Sequence, residues 1–313
     1  MMSMRNSHLK LLWLCAAMFV ACAAHETASE YEDSEEAPLI VRTEINGQSA
    51  RSLTAVSGQY LAVNDTIGIT LIGADVPTDY AYNNVPYSLD SVNGTDQYWN
   101  TKNDIILRRP KATLTAYYPY DQQVDPYAVH VNGMDGTDWL YCPWTDRVIS
   151  ARWPDVTLTM KHAQAILRVE LRREGYAGEG KLKFIKIESN ALAMQGVLNT
   201  SNGSYSVTPA TNIIDQQYVE GEELQLPADP SVVCSDEWFF LPTTQTTDVD
   251  ITFSVKVDKR TLSTTTTISA DAFQCGRIHL FPLKVMNSEL EVAPVTIIPW
   301  ETQTDSHPMR PTN

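Results

Sequence analysis

The chain has 313 residues, of which 43% are hydrophobic, and carries 23 Lys and Arg against 38 Asp and Glu for a formal net charge of −15. That length accommodates one large or two ordinary folded units with cores of their own. The acidic balance argues against nucleic acid as a partner.

The N-terminus reads as an export signal followed by a tether. Arg5, His8 and Lys10 precede an uncharged apolar run from Leu11 to Ala24, too short to span a bilayer as a stable helix. Cys22 follows Phe19-Val20-Ala21, a setting that suits lipoprotein signal cleavage over 1–21 with lipidation of Cys22. Phe19 departs from the usual aliphatic residue, which leaves ordinary cleavage after Ala24 as the alternative. Cys15 follows Leu12-Trp13-Leu14 and belongs to the apolar run. Residues 22–37 form an acidic tether, with Glu26, Glu30, Glu32, Asp33, Glu35 and Glu36 and no Lys or Arg. Removal of 1–21 takes Arg5 and Lys10 and no acid, leaving 21 basic against 38 acidic side chains, or −17.

The body reads as all-β. Period-two alternation marks half-buried strands at Thr66–Leu71, Lys111–Tyr117 and Val156–Met160. Further strands are expected at 165–171, 181–188, 238–241, 249–257, 261–268, 278–285 and 290–298, punctuated by Gly, Pro, Asn and Asp. The Ser/Thr run at 263–267 pairs back on 248–258 across the Asp258-Lys259-Arg260 turn. The stretch from Tyr80 to Lys102, with Asn83-Asn84, Pro86 and Asn93-Gly94, is expected to be a surface excursion. Many short strands over this length predict two antiparallel β-sandwiches in series, 38–157 and 158–301, before a polar tail, 302–313.

The segments Asp65–Ile69, Ala116–Tyr120, His162–Val169 and Ile297–Trp300, in that order, resemble the fimbrillin family of Bacteroidales, the subunits of type V pili, and especially its fimbrillin-like branch. Asp65-Thr66-Ile67-Gly68-Ile69 is similar to an early "D-x-I-G-I" strand, and Ala116-Tyr117-Tyr118-Pro119-Tyr120 to an "A-Y-Y-P-Y" strand end. His162-Ala163-Gln164-Ala165 with Val169 resembles the "H-x-x-A-x-x-x-V" opening of a second domain, and Ile297-Ile298-Pro299-Trp300 a terminal "I-x-x-W". The resemblance implies two transthyretin-like sandwiches in a surface lipoprotein of the outer membrane, attached to or assembled into a fimbria that supports adhesion. It also implies partners: other fimbrillin subunits joined by β-strand addition, the outer membrane through lipid, and a host protein or glycan. An acidic stretch soon after a lipidated cysteine resembles the surface-export signal of Bacteroidetes lipoproteins.

In that family a trypsin-like or Arg-specific protease removes an N-terminal strand and another subunit's strand fills the groove, which satisfies both the open backbone edge and the apolar slot. Leu39, Val41, Thr43 and Ile45 point one way and Ile40, Arg42 and Glu44 the other, as a removable strand requires. Arg51, in the small polar run Ser49-Ala50-Arg51-Ser52, is the first expected processing site and Arg42 the second. The tail after Trp300 has Met309 as its one clearly apolar residue and contains Pro308 and Pro311, so a donor strand would come from Leu290–Ile298 instead. This favours a tip, anchor or accessory subunit over a stalk protein.

The sequence offers no catalytic constellation, so the chain is read as non-enzymatic, with no cofactor and no metal site. His130, His162 and His279 stand apart, and no nucleophile elbow or phosphate-cradling loop accompanies them. His162 and His279 are expected to be hydrogen-bonded structural residues. Cys142, Cys234 and Cys275 are expected to be free thiols, chiefly buried, with one bridge between two of them as the alternative. A competing function, a lipid-anchored glycan-binding protein, rests on Trp99, Trp139, Trp144, Trp153, Tyr80, Tyr82, Tyr98 and Tyr127, and requires exposed coplanar rings. Asp65-Thr66-Ile67 and Asp90-Ser91-Val92 match a short Bacteroidetes O-glycosylation pattern, Ser91 being the more accessible.

Overall fold

The computed structural model describes residues 35–45, 61–93, 96–146, 148–207, 212–243, 246–270, 272–300 and 307–308. Among them there is no α-helix, and a single 3-10 turn at Pro77–Asp79. The first half contributes β1 (Glu36–Pro38), β2 (Ile40–Ile45), β3 (Thr66–Gly73), β4 (Tyr82–Asn93) and β5 (Asp96–Asn100). It continues with β6 (Ile106–Arg108), β7 (Ala112–Tyr118), β8 (Val129–Asn132), β9 (Leu140–Cys142) and β10 (Asp155–His162). Seven of these form one sheet in the order β2-β10-β9-β7-β3-β4-β5, and β1 pairs with β6 beside it. The sheet wraps a core that includes Ile67, Ile69, Leu71, Leu114 and Leu158, all fully buried.

Alternation predicts half-buried strands, yet β3 is covered on both faces. Gly68 lies on the outer face with no side chain, and a Cβ there would come within 2.4 Å of the Tyr117 ring. The tyrosine thus lies over the glycine, and its hydroxyl donates to Asn84 Oδ1 at 2.9 Å or to Asp121 O at 2.9 Å. The expected excursion at Tyr80–Lys102 is instead largely the β4–β5 hairpin. Val85, Tyr87 and Leu89 alternate into the core, and that periodicity outweighs the turn signals of Asn83, Asn84 and Pro86 around it.

The second half contributes β11 (Ala165–Arg173), β12 (Lys181–Ser189), β13 (Leu192–Ala193), β14 (Gln195–Asn199), β15 (Ser204–Val207), β16 (Asn212–Gln217) and β17 (Leu224–Gln225). It ends with β18 (Cys234–Pro242), β19 (Val249–Val257), β20 (Arg260–Ile268), β21 (Arg277–Val285), β22 (Leu290–Val292), β23 (Thr296–Pro299) and β24 (His307–Pro308). One sheet runs β13-β18-β11-β21-β22, with β23 on β21 and β24 on β18; the other runs β16-β12-β19-β20, with β17 on β12. Both sheets bury residues in one core around Leu167, Ile187, Phe240, Phe253 and Phe281. The expected 290–298 strand is two short ones, broken at Ala293-Pro294-Val295, because a proline cannot donate to the ladder.

Pairing is not antiparallel throughout. β2 with β10, β11 with β21 and β18 with β24 run parallel. Period-two patterning fixes which face is buried and is silent on direction. Parallel neighbours need a long crossover, which the chain between β2 and β10, and between β11 and β21, supplies.

β10 stays in the first sheet through His162, and its Val156, Leu158 and Met160 all enter the first core. The boundary expected at 157/158 falls within β10, whose Met160 still enters the first core, while Ala165 at the start of the next strand enters another. A three-stranded sheet, β15-β14-β8, joins a first-half strand to a second-half hairpin. Beneath it Tyr117, Val129, Val131, Ala163, Leu198 and Leu241 form a small core of their own.

Candidate functional site

The edge strand β2 is the element whose residues fit the predicted removable strand. Leu39, Val41 and Ile45 are 6%, 3% and 7% exposed and enter the first core, with Thr43 buried between them. Ile40, Arg42 and Glu44 face outward. The register with β10 runs from Ile40 opposite Asp155 to Ile45 opposite Met160. Two outward side chains add to the ladder: Arg42 Nη1 donates to Asp155 Oδ1 at 3.1 Å, and Thr159 Oγ1 to Glu44 Oε1 at 2.7 Å. Each buried aliphatic side chain contributes about 1.5–3 kcal/mol by its removal from water, so the strand is held chiefly by its inner face.

Among the described residues, β2 has no strand ladder on its other edge. There Leu39 N donates to Ile105 O at 2.9 Å, and Gln97 on β5 meets the strand at Thr43. Thr43 N and Thr43 Oγ1 donate to Gln97 Oε1 at 2.8 and 2.9 Å, and Gln97 Nε2 donates to Thr43 O at 2.9 Å. Trp99 Nε1 donates to the same Oε1 at 3.0 Å. The support behind β2 is thin as well. β9 pairs with β10 only at Lys161 and His162, and beyond them a cavity of about 270 Å³ opens between 142–146 and 156–161.

Of the predicted site residues, Arg42 lies in β2 with an exposed side chain, while Cys22 and Arg51 lie outside the described residues. At the other end of the chain β22 and β23 bury only Leu290. β23 is followed by Trp300, whose ring stacks on His162 at 4.1 Å and 9° and on Phe239 at 5.4 Å and 22°. His162 Nδ1 lies 2.9 Å from Asp138 Oδ1. His279 is buried in β21 with its ring nitrogens facing Ile166 O and Ala272 O at 3.3 and 3.1 Å, and burial lowers its pKa. Cys142 and Cys234 are buried free thiols, and burial pushes Cys142 up to about 11; Cys275 is free and exposed.

The aromatic residues are mostly put to structural use. Tyr80, Tyr82 and Tyr87 accept hydrogen bonds from the backbone N–H groups of Arg108, Ile106 and Ile105 at 2.8, 3.1 and 3.2 Å. The Tyr80 and Tyr82 hydroxyls thereby serve the backbone of β6, and the Tyr87 hydroxyl serves Ile105 just before it. Burial raises the Tyr87 hydroxyl to about 12. The sequence reading missed this role, although a cluster of tyrosines beside a short strand with few ladder partners is its signal. Tyr98, Tyr127 and Trp153 are exposed. Tyr127 is tilted 47° to Trp144, and Trp153 is faced by the Arg152 guanidinium at 5.0 Å. Among the described residues these rings do not form the coplanar exposed pair that sugar stacking requires.

The model of the fimbrillin-like family matches residues 54–300. No curated protein matches the chain. A candidate cell adhesion protein of Bacteroides uniformis has a similar solved structure, at TM-score 0.59 and 15% identity, covering 85% of this chain and 100% of that one. A second candidate cell adhesion protein, of Bacteroides ovatus, gives 0.55 at 16% identity, with 87% and 100% covered. A fimbrial protein of Bacteroides vulgatus gives 0.52 at 12% identity, with 84% and 99% covered. At these identities the structures share the fold, and the family match spans most of the chain. The chain belongs to the fimbrillin-like family.

Proposed function

We propose that this chain is a surface lipoprotein built of two transthyretin-like sandwiches that serves as a tip, anchor or accessory subunit of a fimbria and supports adhesion. Its Cys22 carries the lipid that holds it to the outer membrane. Its activity is non-enzymatic: release of β2 after proteolysis, at Arg51 first and Arg42 second, and filling of the vacated groove by a strand of another subunit. The observation that carries this reading is β2 itself. Among the described residues it is an edge strand with one backbone ladder, and its inner positions Val41, Thr43 and Ile45 are buried together with Leu39 just before it. Without it β10 presents a row of unpaired N–H and C=O groups beside an apolar slot, and an alternating strand answers both needs.

Arg51 is favoured over Arg42 because Arg42 sits within the β2–β10 ladder and is tied to Asp155, and a protease must unpair a strand before it can cut it. The test is intact-mass and N-terminal analysis of the native protein before and after brief trypsin treatment. The expected result is an acylated Cys22 replaced by a new terminus at Ser52, followed by SDS-resistant oligomers. A chain cut at Arg51 that stays monomeric and keeps the 38–45 segment bound would defeat strand exchange.

A further inference from the structure

We propose that Gln97 is the clasp of the exchangeable strand, holding β2 while it is resident and receiving the backbone of the strand from a second copy that replaces it. The second half of this statement rests on the strand-exchange reading; the first does not. In a β-strand successive peptides point to opposite edges. Ile40 N bonds Pro154 O on the β10 side, so the N–H and C=O of Thr43, an odd number of residues on, face away from β10. Both are met by one side chain. Gln97 Oε1 accepts from Thr43 N at 2.8 Å, and Gln97 Nε2 donates to Thr43 O at 2.9 Å. A primary carboxamide carries one acceptor and one donor group on the same carbon, so it supplies the two bonds that a paired strand residue would supply.

The amide is also fixed in its orientation. Its oxygen is surrounded by three donors, Thr43 N, Thr43 Oγ1 and Trp99 Nε1, and its NH2 group faces a carbonyl. A flipped amide would set N–H groups against two N–H donors and oxygen against oxygen. Trp99 packs against the first core, which anchors β5 where the clasp must stand. The contact reads main chain, with only the Thr43 hydroxyl added. An incoming strand therefore satisfies Gln97 with the peptide at the Thr43 position, whatever side chain it bears there, and must bring apolar residues at the Val41 and Ile45 positions.

Hydrogen exchange on the full-length protein tests the clasp. Gln97→Ala should raise exchange across 40–45 about tenfold, since two neutral hydrogen bonds are lost, with the 277–285 segment unchanged. Gln97→Glu supplies a graded control. Its carboxyl can donate to Thr43 O only when protonated, near or below about pH 4.3. Exchange relative to wild type at the same pH should then be close to normal at pH 4 and raised at pH 7. After brief trypsin cleavage, Gln97→Ala should also lose β2 about tenfold faster than wild type. Unchanged exchange at 40–45 in Gln97→Ala would overturn the clasp whatever happens in assembly. Raised exchange together with no oligomer from either cleaved protein would leave the resident clasp standing and overturn the receiving role.

Discussion

β2 and β23 are edge strands in the first and second halves of the chain, and they are inserted to very different depths. β2 buries Val41, Thr43 and Ile45, with Leu39 just before it, and is bonded by its full length to β10. β23 is paired along its full length with β21 but has a mostly exposed face, with Ile297 42% exposed, and is followed by Trp300, which adds an aromatic stack. The difference separates two requirements of strand exchange. A strand whose loss leaves a deep groove must be well inserted, and it leaves only after the chain is cut. A strand that is to swing out without a cut must be shallow, so that its departure opens no deep apolar groove.

The contrast is broken most forcefully by charge. Val41→Asp places a carboxylate in the first core and should destabilise that half by about 3–5 kcal/mol. Ile297→Asp, on the exposed face of β23, should stay within about 0.5 kcal/mol. Equal effects in denaturant titrations of the two variants would erase the distinction. Trp300→Ala removes both stacking contacts and should cost about 1–3 kcal/mol, with faster hydrogen exchange at 296–299 and no change at 40–45. Arg42→Ala removes a half-exposed ion pair with Asp155 and should change stability by less than about 0.5 kcal/mol, which would place the hold on β2 in its inner face and not in its outer charges.

Acid should separate the halves in a subtler way. His279 lies in β21, the strand that bears β23, and burial sets its folded pKa below the ordinary value of about 6.5. The unfolded chain then binds the proton more readily, so this residue's contribution to stability is present above about pH 6.5 and is lost as pH falls toward the folded pKa. His279→Gln should flatten that part of the pH dependence of second-half unfolding. A profile unchanged by the substitution would remove His279 from the account.

Much of this architecture is legible in the sequence, and the reasons are local. The four motifs that carried the family resemblance meet in pairs. Tyr118 donates its hydroxyl to Asp65 Oδ1 at 3.1 Å, and His162 stacks on Trp300. Each motif thus marks a contact between distant segments, which is why their order along the chain was informative. The inner and outer faces of β2 follow from alternation alone. What alternation left unread is pairing direction, since a parallel and an antiparallel neighbour bury the same face. The β4 strand was hidden by Asn83, Asn84 and Pro86, whose turn preference is overridden by the burial of Tyr87 and Leu89. Gln97 carried no signal at all: a half-buried glutamine beside an exposed tyrosine is ordinary until Thr43, 54 positions away, is seen bonded to it.

The central claim is that β2 must leave for the subunit to assemble, and a lock across β2 and β10 tests it most directly. Arg42 and Thr157 are register partners with exposed side chains on the same face, and paired residues on adjacent strands fall within the span that a disulfide bridges. The doubly substituted protein, Arg42→Cys with Thr157→Cys, should be cut by trypsin at Arg51 as readily as wild type, yet give no SDS-resistant oligomer until a reductant is added. Oligomers formed equally well by the oxidised, locked protein would contradict the account.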